Sequence, residues 1–263
     1  MISRRLMMMF AGGPTPPPEE VKAIKFSSDS PNGISLNGTI LGSINLEYSR
    51  DGEDWTDWDF SNLMFGGEYG ELYIRGNNPT GMSTSGDAYT YFVEASGNTS
   101  YSVSGNAMYL LGQDVSGVPN YGFFELFKDC AHMTSAPELP ATTLGEYCYN
   151  GMFSGCTNLV DAPELPATTL VGTCYNLMFK DCTNLTSAPE LPATTLVGTC
   201  YQRMFLGCSR LNEVRCNAKS IPQISTLYWM RGVSSSGTFY KNSESSWRSG
   251  DNSIPSGWTV INM

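Results

Sequence analysis

Asn150-Gly151-Met152-Phe153-Ser154-Gly155-Cys156-Thr157-Asn158-Leu159, running on through Val160-Asp161-Ala162-Pro163-Glu164-Leu165-Pro166-Ala167-Thr168-Thr169-Leu170, decides the fold, because the chain writes this unit several times over. Cys130, Cys156, Cys182 and Cys208 stand 26 residues apart, and so do Cys148, Cys174 and Cys200. Phe127, Phe153, Phe179 and Phe205 keep the same register, as do Leu126, Met152, Met178 and Met204. Ser135 to Leu144 recurs verbatim at Ser187 to Leu196, and from Ala162 to Leu170 without its first serine. A period in this range marks a solenoid, whose coils bury a core only by stacking on one another.

Within one coil, Asn150 to Leu159 reads as a short helical turn with Met152, Phe153 and Cys156 facing inward. Leu159 to Pro166 then reads as an extended segment. Pro163 and Pro166 cannot donate to a ladder, so the sheet in the solenoid should be narrow and interrupted. Ala167-Thr168-Thr169-Leu170 turns the corner, and Cys174-Tyr175 opens the next coil.

Upstream, from Val21 to about Val115, short β-branched and aromatic runs alternate with Gly, Asn, Asp and Ser and show no helical period. Ile24-Lys25-Phe26, Ile44 to Tyr48, Leu72 to Arg75 and Tyr89 to Val93 alternate as half-buried strands do. Ser49-Arg50-Asp51-Gly52 carries an Asp-Gly hairpin signal. Trp55 and Trp58 follow it at an odd separation, which places one indole inward and the other outward. Strands without helices predict a small antiparallel sandwich. The fold expected is therefore an all-β sandwich-like domain over residues 21–115, a short α/β leucine-rich solenoid over 116–218, and a C-terminal cap over 219–263. Residues 1–20 read as an arm: Arg4, Arg5, Met7, Met8, Met9 and Phe10 form a basic and apolar anchor, and Pro14 to Pro18 a stiff polyproline spacer. The apolar stretch Leu6 to Ala11 falls short of the 7 to 15 residues or so of a secretory signal.

The balance of charge removes whole classes of function. The chain has 263 residues with 15 basic against 25 acidic side chains, a net charge of −10 that repels nucleic-acid phosphates. No apolar run approaches the roughly 20 residues that span a bilayer. Neither nucleic acid nor a membrane span is expected.

Phe153-Ser154-Gly155-Cys156-Thr157-Asn158-Leu159 resembles the Phe-x-x-Cys-x-x-Leu core of the BspA-like class of leucine-rich repeats. Gly237-Thr238-Phe239-Tyr240-Lys241-Asn242, Trp247 and Ile254 to Val260 resemble the terminal cap of such proteins, and Leu46 to Gly52 with Leu72 to Asn78 the β-module that precedes their repeats. The resemblance covers about 240 of the 263 residues. It implies an adhesion or recognition protein without catalytic activity, of the kind found on gut bacteria and in their tailed phages. The opening Met1 to Met9 looks like the anchor arm of a phage structural protein, which implies a place in the virion, assembled in the host cytoplasm. The partners implied are other virion or tail proteins through the arm, and a host surface glycan or protein through the repeats; a homo-oligomer is left open. The alternative is an exported adhesin on a bacterial surface.

The residues themselves favour binding over chemistry. No Cys-x-x-Cys pair exists and His132 is the only histidine, so neither a metal site nor a cofactor is expected. The cysteines read as reduced, buried core residues. A triad could use His132 alone, and no catalytic residue is assigned. Glu138, Glu164 and Glu190 recur at the repeat period, as an extended recognition surface or a solvated edge would show, whereas a glycosidase needs two differently tuned carboxyls. Candidate binding residues are these three glutamates with Asp161, Tyr149, Tyr175 and Tyr201; the tyrosines fit core packing equally well.

Overall fold

The computed structural model describes residues 20–250 and 252–263. The anchor residues Arg4, Arg5, Met7, Met8, Met9 and Phe10, and the arm as far as residue 19, lie outside the described residues.

The chain is mostly β. Its first part supplies β1 (Ile24–Ser27), β2 (Asn32–Gly38), β3 (Leu46–Ser49), β4 (Thr56–Asp57), β5 (Leu63–Phe65), β6 (Leu72–Gly76), β7 (Thr90–Ser96) and β8 (Tyr101–Gly105). Antiparallel pairing orders β4-β3-β6-β1-β8 in one sheet and β5-β2-β7 in another. The two meet through inward aromatics: the Phe26 ring lies 5.5 Å from Phe65 and 5.6 Å from Phe92. Full burial of each such ring contributes roughly 2–3 kcal/mol. Trp58 is buried and donates from Nε1 to the Ser61 carbonyl at 2.9 Å, while Trp55 is half-buried beneath the Arg75 guanidinium, 3.9 Å from its ring centre. The opposed indoles follow the odd spacing. The Asp-Gly turn is longer than the two-residue form, because β3 and β4 pair only through Glu47↔Asp57 and Tyr48↔Thr56. The Asp51 carboxylate instead accepts the Glu53 and Asp54 amides at 2.9 and 3.0 Å and organises the loop.

A β-solenoid of about six turns follows. At one corner β9 (Gly117–Val118) pairs in parallel with β11 (Thr143–Leu144), while β10 (Met133–Ser135) adds in parallel to β8. From Ser135, single parallel bridges step to Asp161, Ser187 and Glu213, and the wall then thickens into β12 (Glu213–Cys216), β13 (Thr238–Lys241) and β14 (Thr259–Asn262). Between β10 and β12 the prolines reduce the ladder to these bridges. Hydrogen bonding passes without a break from the antiparallel sheet through β8 into the solenoid wall, and the two parts share one core.

The helical turn expected at Asn150 to Leu159 does not form. Among the described residues the helical segments are short 3-10 turns at 41–43, 67–69, 107–110 and 223–226. Instead, the amides of Asn150, Met152, Ser154 and Cys156 donate three residues back, to the carbonyls of Tyr147, Tyr149, Gly151 and Phe153. The intervening amides of Tyr149, Gly151, Phe153 and Gly155 donate to Cys174, Met178 and their neighbours in the next coil at 2.8–3.0 Å. Tyr147, Gly151 and Gly155 hold left-handed φ of 58°, 61° and 81°, which a helix does not tolerate. The result is a ribbon of consecutive turns that exports every second amide to its neighbour. Met152, Phe153 and Cys156 still face the core, at 0% exposure.

Two aromatic columns fill that core. Phe92, Phe127, Phe153, Phe179 and Phe205 stack at 5.0–5.8 Å. Phe123, Tyr149, Tyr175 and Tyr201 stack beside them at 5.7–6.1 Å. Both columns end on Trp229, which Trp247 covers at 5.0 Å.

Candidate functional site

The Pro-Glu-Leu-Pro segment of each coil builds an edge with two faces. Leu139, Leu165 and Leu191 are buried, and alternation turns Glu138, Glu164 and Glu190 outward into solvent. Prolines on either side hold the backbone extended and offer no amide of their own, while the Glu138 amide donates to the Gly105 carbonyl at 2.8 Å and that of Leu191 to Arg215 at 3.0 Å. Between the first two coils a groove of about 520 Å³ is lined by Pro137, Glu138, Pro140, Pro163, Glu164 and Pro166. Between the next two a groove of about 310 Å³ shares Glu164 and Pro166 and continues to Glu190 and Pro192. Three of the four acidic candidates therefore border two adjoining proline-lined grooves that share Glu164 and Pro166. The row sets like charges on successive coils, whose mutual repulsion in water is at most about 1 kcal/mol per pair. A ligand donating hydrogen bonds or positive charge to the row relieves that repulsion. Asp161 is also exposed but belongs to the neighbouring wall, where its backbone bridges Ser135 and Ser187.

The tyrosines are not surface residues. Tyr149, Tyr175 and Tyr201 are each 1% exposed, and their rings form the second core column. Each ring stacks on its equivalent in the next coil, which keeps the position inside whether or not a left-handed residue precedes it: Tyr147 does so before Tyr149, while Thr173 and Thr199 stand at that place before Tyr175 and Tyr201 without left-handed φ. Burial raises all three hydroxyls well above the ordinary tyrosine range. They cannot contact a ligand on the folded molecule, and they leave the set of candidate binding residues.

The cysteines line the same core with free thiols. Cys156, Cys182 and Cys208 donate to the carbonyls of Phe127, Phe153 and Phe179 in the preceding coil at 3.0, 3.1 and 2.9 Å. Burial pushes Cys174 and Cys216 up to about 12 and the others higher than their ordinary value as well, which suppresses the nucleophilic thiolate. His132 is held by Glu94, with its Nδ1 2.8 Å from Oε2 and its amide donating to Oε1 at 2.8 Å. Among the described residues no group of three or more His, Cys, Asp or Glu is placed to hold a metal ion, and no helix is long and apolar enough to cross a membrane.

One exposed feature escaped the sequence reading. Tyr89, Tyr91, Tyr121, Phe124 and Tyr147 form a half-buried aromatic strip where β7 meets the first coils. Its legible traces were Tyr89 and Tyr91 on one strand face, and Tyr121 and Tyr147 at the repeat spacing. The contact between those two pairs joins residues remote in sequence.

Comparison of the chain with family models, with curated proteins and with solved structures returns no match.

Proposed function

We propose that the chain is a non-enzymatic recognition protein whose solenoid presents the groove bordered by Glu138, Glu164 and Glu190 to a receptor. The observation that carries this reading is that adjoining grooves, sharing Glu164 and Pro166, follow the glutamate row across three coils. The finer architecture fits it: a sandwich-like module formed by the two facing sheets, coils of the BspA-like leucine-rich class, and a cap closed by Trp229 and Trp247. The three glutamates occupy equivalent positions and equivalent exposure, which suits repeated contact along an extended ligand and gives none of them the singular environment of a catalytic acid. The setting proposed is a tailed-phage virion, with residues 1–20 docking into other tail proteins and the solenoid directed at a host surface glycan or protein. The second reading, an adhesin on a gut bacterial surface, rests on the same groove and the same family resemblance.

The test is binding of the full chain to the cells that its source infects or inhabits. The triple variant Glu138→Gln, Glu164→Gln, Glu190→Gln is expected to fold and to lower cell-bound protein at least tenfold. Unchanged binding would sink the groove as the recognition surface. Immunogold labelling of the native source with an antibody against residues 21–263 is expected to mark phage particles, and incorporation into particles to be lost on deleting residues 1–20. Label confined to bacterial envelopes would decide for the adhesin.

A further inference from the structure

The aromatic strip differs from every other exposed feature of the solenoid in that the repeat does not require it. Tyr121 and Tyr147 stack face to face, with ring centres 4.7 Å apart and planes 2° from parallel. The two coils that follow carry Thr173 and Thr199 at the same position, joined by a hydroxyl hydrogen bond at 3.2 Å. Phe124 stands where later coils carry Asn150, Asn176 and Gln202, whose amides form a ladder at 3.1–3.3 Å. Later coils thus carry small polar groups at both positions, with Thr173 and Thr199 outside the left-handed φ of 58° that Tyr121 and Tyr147 hold. Aromatic rings replace them only in the coils next to β7.

There they meet two more rings. Tyr89 and Tyr91 project from the same face at the start of β7, because Thr90 and Phe92 between and after them point into the core. Their rings stack at 5.7 Å, and Tyr89 continues to Phe124 at 5.9 Å and Phe124 to Tyr121 at 5.7 Å. The order along the surface is Tyr91, Tyr89, Phe124, Tyr121, Tyr147, each ring half-buried. Beside the Tyr89 and Tyr91 end lies a cleft of about 300 Å³, into whose wall Glu94, Glu125, Lys128 and Asp129 also enter. Lys128 pairs with Glu125 at 2.8 Å, so both charges are held in place beside the rings.

We infer that this strip and its cleft are a binding site for a neutral polysaccharide, with the rings stacking on the apolar faces of successive sugar units and the cleft side chains hydrogen-bonding their hydroxyls. The inference rests on the reading of the protein as a recognition module and adds to it a second site, on a different part of the surface from the glutamate groove. Flat aromatic surfaces fit the C–H faces of pyranose rings, and amphipathic tyrosine provides a hydroxyl at the wet rim. Carboxylates accept from sugar hydroxyls, and Lys128 donates. Asp129 and Glu146 are exposed and Glu94 and Glu125 half-buried along this surface against the one lysine, a balance that repels uronic and sialic acids and selects an uncharged chain.

The experiment is affinity electrophoresis of the full chain through gels containing yeast mannan, dextran or mixed-linkage β-glucan, with alginate as the acidic comparison. At least one neutral polymer is expected to retard the protein and alginate not to. The double variant Tyr121→Asn, Tyr147→Asn removes both rings with a residue that tolerates their left-handed φ of 58°, and Phe124→Asn installs the residue that later coils already hold, so both should fold. Each is expected to weaken retardation at least tenfold, while Glu138→Gln, Glu164→Gln, Glu190→Gln leaves it unchanged. Retardation by none of the neutral polymers, by alginate alone, or equally by the ring variants overturns the site. Run on the cells of the preceding test, the two sets of variants separate the readings. Loss of cell binding in the glutamate variant with none of the neutral polymers bound leaves the recognition module standing and this site refuted; unchanged cell binding in the glutamate variant together with retardation that the ring variants keep refutes both.

Discussion

Cys156, Cys182 and Cys208 explain at the level of single side chains why a coil of this kind prefers cysteine to a larger hydrophobe. Each sulfur fills a small space below a phenylalanine and places its proton on that ring's own backbone carbonyl in the preceding coil. Removing one sulfur loses that contact and opens a small void, so Cys182→Ala should cost about 1–2 kcal/mol in denaturant unfolding. A thiol-specific chromophoric reagent at pH 7.5 should find almost no reactive cysteine in the native chain and all eight once it is unfolded. A non-reducing mass below that of the fully reduced chain would contradict this. Tyr175 makes the opposite case. Its hydroxyl is buried without a hydrogen-bond partner among the described residues, so Tyr175→Phe should leave stability unchanged or raise it by up to about 1 kcal/mol. The same variant should bind cells as the parent does, which separates a core tyrosine from a binding one.

The turn ribbon is the element that sequence reading described least well. Met152, Phe153 and Cys156 sit at the spacing of a helix face, and they do face the core, but a helix would have kept all its amides to itself. Gly155 shows why the chain takes the other course. Its φ is +81°, and a Cβ built there would collide with the Asp129 carboxylate of the preceding coil. Gly155→Ala should therefore destabilise the protein by about 1–3 kcal/mol, measured as a shift in the denaturant midpoint without a change in slope. Asn158 and Ser154, which flank the same bend without left-handed φ, make the comparison sites.

Over the whole molecule, the buried thiols and phenols set the response to alkali. Burial keeps Cys174 and Cys216 protonated up to about 12 and raises Tyr149, Tyr175 and Tyr201 as well, whereas the unfolded chain releases thiol protons near 9. Below pH 9 both states hold these protons and stability is level. Above it only the unfolded state gains by ionising, so stability falls as pH rises from about 9 towards 12, by up to ~1.4 kcal/mol per pH unit for each thiol. Tryptophan fluorescence against pH at fixed denaturant reads this directly. Stacking of equivalent coils makes a second prediction: deleting Thr157 to Cys182, one full period, should give a folded chain with a lower denaturant midpoint, because Phe153 then stacks on Phe205 as it did on Phe179. Deleting half a period should abolish the cooperative transition.

Periodicity made the solenoid, its inward residues and its outward glutamate row legible, because each depends only on register along the chain. Alternation likewise separated Trp55 from Trp58. The backbone of the ribbon was not legible, since half of its hydrogen bonds run to another coil and leave no mark on local spacing. Nor was the burial of Tyr149, Tyr175 and Tyr201, which stacking between coils imposes. The aromatic strip and the passage of the first sheet into the solenoid wall arise only when β7 and β8 pack on the first coils, and contacts between segments so distant are settled by tertiary packing alone.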